Sequence, residues 1–202
     1  MANNTREKIL DAALNLFSEN GYAGTNIQSI ADSVGIVKSA LYRHFDSKEA
    51  IWMALIDMIS SYYNERFGSV DYLPPTPKTT AELKTMSMKM LNFTIYDERI
   101  IKVRKILMLE QFRDETARDL ATAHFLTGLE SLFTVIFEGM IENGSIKQFD
   151  ASQLAFEYTA PITPLIHWHD REPAKDKEIM EKIEKHISHF INVYGNKEKT
   201  DG

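Results

Sequence analysis

The sequence predicts an all-α protein of about nine helices. Apolar residues recur at i, i+3, i+4 and i+7 along almost the whole chain, and the alternating β-branched runs that make strands are almost absent. Short Gly, Pro, Asn or Asp punctuation separates the periodic stretches. At 202 residues, with 44% hydrophobic and 26% charged side chains, the chain can bury a core without cross-links, which excludes disordered and low-complexity classes. There is no cysteine, hence no disulfide, thiolate metal site or thiol nucleophile. Thr5-Arg6-Glu7-Lys8 and Asp11 break the N-terminal apolar pattern, so no signal peptide is expected. The uninterrupted apolar runs are only a few residues long, so no membrane partner is expected either, and the setting is read as cytoplasmic.

Each element has its own signal. Thr5 is placed to cap a first helix running to about Asn20, with Ile9, Ala12, Ala13, Leu16 and Phe17 on one face, and Asn20-Gly21 ends it. Thr25 is expected to cap a second helix through Ile27, Ile30, Ala31 and Val34, which Gly35 stops. A third spans roughly Lys38 to His44, and Asp46 or Ser47 caps a fourth from Lys48 to about Phe67. Val70 to Thr80, with Pro74, Pro75 and Pro77, reads as a loop. Helices follow at about 80–95, 99–113, 115–143, 150–169 and 174–194, the fourth of these kinked by Pro161 and Pro164. The expected organisation is a domain over 1–47, a second over 48–195, and a polar tail over 196–202.

Thr25 to Lys48 is the informative stretch: a capped helix, a Gly turn and another short helix, the size and punctuation of a helix-turn-helix. Ile27, Ile30, Ala31, Val34, Ile36, Leu41 and Phe45 lock the pair together, leaving Lys38, Ser39, Tyr42, Arg43 and His44 on or near the outward side. A projecting helix with sparse polar residues suits the DNA major groove. Tyr42 and Lys48 have the chemistry to bond phosphate, and Lys48 also starts a helix whose dipole attracts anions. A net charge of −6 excludes bulk coating of nucleic acid, but residues 38–48 carry three cations against Asp46 alone. The plainer alternative is a three-helix bundle with a solvated charged face.

The run from Ile27 to Ala50, IQSIADSVGIVKSALYRHFDSKEA, and the preceding Ile9–Tyr22, ILDAALNLFSENGY, resemble the DNA-binding signature of the TetR family of transcriptional regulators. Leu41 to Lys48 (Leu-Tyr-X-His-Phe-X-X-Lys) is its most specific part, and the resemblance covers about the first 50–55 residues. It implies a homodimeric, usually repressing protein that binds a palindromic double-stranded DNA operator and is released by a small-molecule effector. By position, Thr25, Gln28, Lys38, Ser39, Tyr42, His44 and Lys48 match residues that approach DNA, with Thr25, Tyr42 and Lys48 expected mostly on phosphates and Lys38 and Ser39 nearest base edges. The chain departs from the family at Val37 and Ala40, where hydroxyl residues are frequent; Val37 cannot cap the recognition helix. The resemblance also makes the last two helices the dimer surface, through Leu154, Tyr158, Ile162 and Leu165 with Ile183, Ile187 and Phe190. The alternative is that this stripe packs onto its own chain.

The remaining helices are rich in Met and aromatic residues, which are either core or the lining of an adaptable pocket for a hydrophobic effector. The pocket candidates are Tyr62, Phe93, Glu110, Phe112, His124, Tyr158 and Trp168; Glu110 and His124 stand out as ionisable groups amid apolar neighbours. His167 with His169 and His186 with His189 raise a metal reading, but without a clear third ligand none is assigned, and no cofactor is expected. An enzyme is not expected, since phosphate-binding, metalloprotease and nucleophile-elbow motifs are all missing. An activator or effector-independent regulator of the same fold, or a helical protein-interaction adaptor, are the competing functions.

Overall fold

The computed structural model describes residues 2–67 and 75–196. Residues 70–74 of the loop expected over 70–80, and residues 197–202 of the tail expected over 196–202, lie outside the described residues. The helices are α1 (Ala2–Gly24), α2 (Ile27–Val34), α3 (Lys38–Leu41), α4 (Lys48–Phe67), α5 (Thr80–Tyr96), α6 (Glu98–Glu110), α7 (Glu115–Thr122), α8 (Gly128–Glu142), α9 (Ala151–Thr159), α10 (Ile162–Arg171) and α11 (Asp176–Tyr194). A π-helical turn, Ala123–Thr127, fuses α7 to α8, and only Ala160-Pro161 separates α9 from α10. Counted as continuous rods, the described residues form nine helices, and they include no strand beyond one isolated bridge between Ile146 and Gly195. Pro161 precedes α10, and Pro164 falls in its first turn, where a backbone N–H would lack an intrahelical partner anyway.

The chain divides into two compact units: Met1–Ser69 with Glu98–Arg118, and Val70–Asp97 with Asp119–Gly202. The division differs from the one expected at residue 47, because α4 and α6 pack on α1. Ile51, Trp52 and Leu55 of α4, and Ile100, Ile106 and Leu107 of α6, are buried with Ile9, Leu10, Ala13 and Phe17 of α1.

The core of the second unit joins α5, α8, α9, α10 and α11. Phe133, Phe137 and Phe190 ring Tyr158, at centroid distances of 5.0, 5.4 and 4.7 Å. The expected dimer stripe is part of this core. Leu154, Tyr158, Ile162, Ile183, Ile187 and Phe190 are buried within their own chain and Leu165 packs against them, so the stripe is the inner face of α9–α11 and leaves almost no surface for a partner. The continuous helix Glu115–Glu142 holds an 18-residue window of mean hydropathy 1.4, long and apolar enough by composition to cross a membrane, which the short-run expectation did not anticipate. Its Phe133, Ile136, Phe137 and Met140 are nevertheless core residues of this unit.

Candidate nucleic-acid interface

The first unit builds a helix-turn-helix from residues whose backbone needs are visible one by one. Gly21 breaks α1 with φ 74° and ψ 166°, a conformation open in practice to glycine alone. The chain then turns to Asn26, whose side chain accepts the Ser29 backbone N–H while the Asn26 N–H donates to Ser29 Oγ, a reciprocal cap on α2. This corrects the expectation that Thr25 is the cap. Thr25 is 3% exposed, and its hydroxyl donates to the carbonyls of Gly21 (2.9 Å) and Leu16 (3.1 Å). Its side chain therefore holds the end of α1 rather than facing a phosphate.

Gly35, at φ 75°, stops α2 in the left-handed conformation, its N–H donating to Asp32 O and Ala31 O. Val37 leads into α3 without a side-chain cap, as expected of a residue with no hydroxyl. Bonds from Tyr42 N to Lys38 O and from Phe45 N to Leu41 O carry the helical turn past α3. Ile30, Ala31, Leu41 and Phe45 are buried, which fixes the recognition segment on α2 and α1. Lys38, Ser39, Tyr42 and Arg43 are exposed together on its outer side; His44 is half-buried. Gln28 is exposed too, its amide donating to Asp32 Oδ1 at 2.7 Å. Arg6, not singled out from sequence, lies with its guanidinium 5.0 Å from the Phe45 ring centroid, at the end of the same segment.

Lys48 is engaged inward. Its ammonium donates to Tyr22 O at 2.8 Å and Thr25 O at 2.9 Å and lies 4.2 Å from the centre of the Tyr22 ring. The N–H of the same Tyr22 donates to Glu110 Oε1 at 2.9 Å, and Glu110 is 3% exposed. Burial above all, with the carboxylates of Glu49, Asp114 and Glu110, raises the Tyr22 phenol above its ordinary range. Glu110 therefore belongs to the scaffold of the helix-turn-helix unit, where a backbone N–H satisfies its buried oxygen.

The other pocket candidates fall in both units. In the first, Tyr62 is half-buried beneath the Arg99 guanidinium and Phe112 is 89% exposed, so Phe112 lines no enclosed space. In the second, Phe93, His124 and Trp168 are half-buried and Tyr158 is sealed in the core, its hydroxyl 2.7 Å from Ser87 Oγ. Trp168 donates to Glu172 Oε1 at 3.0 Å, and the His124 ring stacks edgewise on Phe125. Of the paired histidines, His169 Nε2 lies 3.2 Å from Asp176 Oδ1 and His186 Nε2 donates to the Tyr158 carbonyl at 2.9 Å. Asn26 was legible as Asn-X-X-Ser; the roles of Arg6 and Lys48 had no local signal.

A recognition segment held by a buried apolar seam, with cations and a phenol on its free side, defines a helix-turn-helix DNA-binding domain. Residues 9–55 match the family model for bacterial regulatory proteins of the tetR family. The chain is 48% identical over 59 residues to the biofilm operon icaADBC HTH-type negative transcriptional regulator IcaR of Staphylococcus aureus (strain Newman), covering 29% of this chain and 32% of that one. It is 33% identical over 99 residues to IcaR of Staphylococcus epidermidis, covering 48% and 50%. The chain thus spans a third to a half of the length of the curated relatives it matches. In fold it is similar to SmeT, described as the repressor of the Stenotrophomonas maltophilia multidrug efflux pump SmeDEF, with a TM-score of 0.69 at 20% identity over 96% of this chain and 91% of that one. A SmeT–triclosan complex gives a TM-score of 0.76 at 19% identity, covering 96% and 93%. Residues 9–55 are thus similar to the DNA-binding part of bacterial regulatory proteins of the tetR family, and the relatives named are transcriptional regulators.

Proposed function

We propose that the protein is a homodimeric repressor that binds a palindromic operator in the cytoplasm and leaves it when a small hydrophobic effector binds the second unit. The observation that carries this reading is the exposed cluster Lys38, Ser39, Tyr42 and Arg43 on a recognition segment whose inner residues are all buried. Lys38 and Ser39 are assigned to base edges, Tyr42 and Arg43 to phosphates, and Gln28 and His44 to the margins of the contact. The repressing sense is favoured by the likeness to IcaR, a negative regulator, and the effector by the fold shared with a SmeT–triclosan complex. Half-buried Met86, Met88, Met90 and Met180 around the core of the second unit supply the deformable apolar surface such a ligand would need. A two-fold dimer would place two recognition segments about 34–36 Å apart, one turn of DNA.

The test is selection from a random DNA pool with the full chain, then a salt titration of the selected sequence. Enrichment of an inverted repeat, bound as a dimer and lost when Lys38 and Tyr42 are both replaced by Ala, is the expected result. No enrichment, or a double variant that binds as the parent does, overturns the reading.

A further inference from the structure

We infer that Lys48 and Glu110 set operator affinity as positioning residues, gripping Tyr22 from its two ends and thereby aiming the recognition segment. The inference rests on the DNA-binding function proposed above. Gly21 interrupts α1, so the peptide groups just after it lack a regular helical ladder. Glu110, on the last turn of α6, takes the Tyr22 N–H at 2.9 Å. Lys48, on the first turn of α4, takes the Tyr22 carbonyl at 2.8 Å and the Thr25 carbonyl at 2.9 Å. An anion on the N–H and a cation on the C=O is the polarity that each end of a peptide unit favours. The next residue, Asn26, caps α2, and buried Ile30, Ala31 and Leu41 tie α2 to α3. Fixing residues 22–25 therefore fixes where α2 starts and where Lys38 and Tyr42 point.

Positioning and direct phosphate contact make opposite demands. Two of the three Lys48 N–H donors are spent on carbonyls, so Lys48 is assigned no phosphate. A cation that neutralises a phosphate contributes about 0.9 to the slope of log K against log salt; a positioning residue changes K and leaves the slope alone. Glu110 gives a sharper contrast. Removing a carboxylate from a DNA-binding unit should tighten binding if only charge matters, whereas loss of the grip on Tyr22 should weaken it.

The experiment measures binding of the selected operator by wild type, K48M, E110A and E110Q across a salt series, below the melting temperature of every variant. The expected result is a roughly tenfold or greater loss of affinity for K48M and E110A at unchanged slope, with E110Q near wild type because its amide oxygen still accepts the Tyr22 N–H. A slope lower by about 0.9 in K48M puts Lys48 on a phosphate and overturns the inference, as does E110A binding as well as or better than wild type. Should E110A not fold, amide hydrogen exchange of wild type decides: protection of the Tyr22 N–H is expected, and free exchange overturns the grip. If wild type selects no operator, the proposed function itself fails; if it selects one and these variants bind normally, only the positioning role does.

Discussion

Replacing Tyr158 by Phe probes the second unit at a single hydroxyl. Tyr158 is fully buried, Ser87 is 3% exposed, and their oxygens lie 2.7 Å apart. The Phe ring would keep the packing against Phe133, Phe137 and Phe190, so no cavity forms and the change isolates the polar pair. What remains is a Ser87 hydroxyl deprived of its partner in a dry core, at a cost of about 1–3 kcal/mol. Ser87→Ala strands the Tyr158 hydroxyl instead and costs a similar ~1–3 kcal/mol. The double variant removes both polar groups and should return to within ~1 kcal/mol of wild type, so the two losses do not add. The two tryptophans make the assay unit-specific: Trp52 belongs to the first unit and Trp168 to the second. Urea unfolding followed by Trp168 fluorescence in a Trp52→Phe background reads the second unit alone. Single variants within about 0.5 kcal/mol of the background, or a double variant equal to the sum of the singles, would refute the account of Tyr158 as a paired core residue.

The remaining predictions concern titration and backbone. Burial pushes the Tyr158 phenol up to about 12, against the lowering effect of the Ser87 bond. An unfolded tyrosine releases its proton near pH ~10, so this stability is complete below pH ~10 and falls by roughly 1.4 kcal/mol per pH unit as pH rises from there toward the folded value; unfolding at pH 9 and 11 should show that loss in wild type and less of it in Tyr158→Phe. Val37 is 68% exposed in an extended conformation at the start of α3 with no cap, so Val37→Ser should raise the unfolding free energy of the first unit by about 1 kcal/mol. At Gly35 an added Cβ meets nothing within 4 Å, so Gly35→Ala pays only left-handed strain, about 1–2 kcal/mol. At Gly21 the Cβ would come 2.8 Å from Glu110 Oε1, so Gly21→Ala should destabilise more than Gly35→Ala and weaken operator binding as well.

How much was legible follows the range over which each interaction acts. Helix ends were legible because their causes are local: the left-handed glycines at 21, 35 and 144, the Ser47 side chain accepting the Ala50 N–H, and the prolines at 161 and 164 each act within a turn of their own position. Thr25 misled because a hydroxyl before a helix has two uses, and the neighbouring Asn26 with Ser29 made the better cap. The stripe on α9 and α11 misled for a different reason: i, i+4 periodicity shows that a face is buried and says nothing about whether the covering atoms belong to the same chain. Glu110 was flagged as an ionisable group needing a partner, but that partner is a backbone N–H 88 residues away, which carries no side-chain signature at all.

That hidden partner bears on how, under the function proposed above, an acidic chain would hold a polyanion. With a net charge of −6 the protein as a whole gains little from long-range attraction to DNA, and the exposed cations on the recognition segment are few: Lys38 and Arg43, with Arg6 at its end. Lys48, a fourth cation in the same stretch, spends two of its three donors on the protein's own backbone. Affinity must then depend on delivering a small number of contacts to their targets together, because one misaligned contact among so few is a large fraction of the total. A fixed glycine kink at Gly21, a buried carboxylate on the Tyr22 N–H and a half-buried ammonium on the Tyr22 carbonyl are means of holding that alignment. The same economy argues for a shallow salt dependence compared with proteins that wrap DNA in many cations, since the slope counts the phosphates neutralised rather than the accuracy with which they are met.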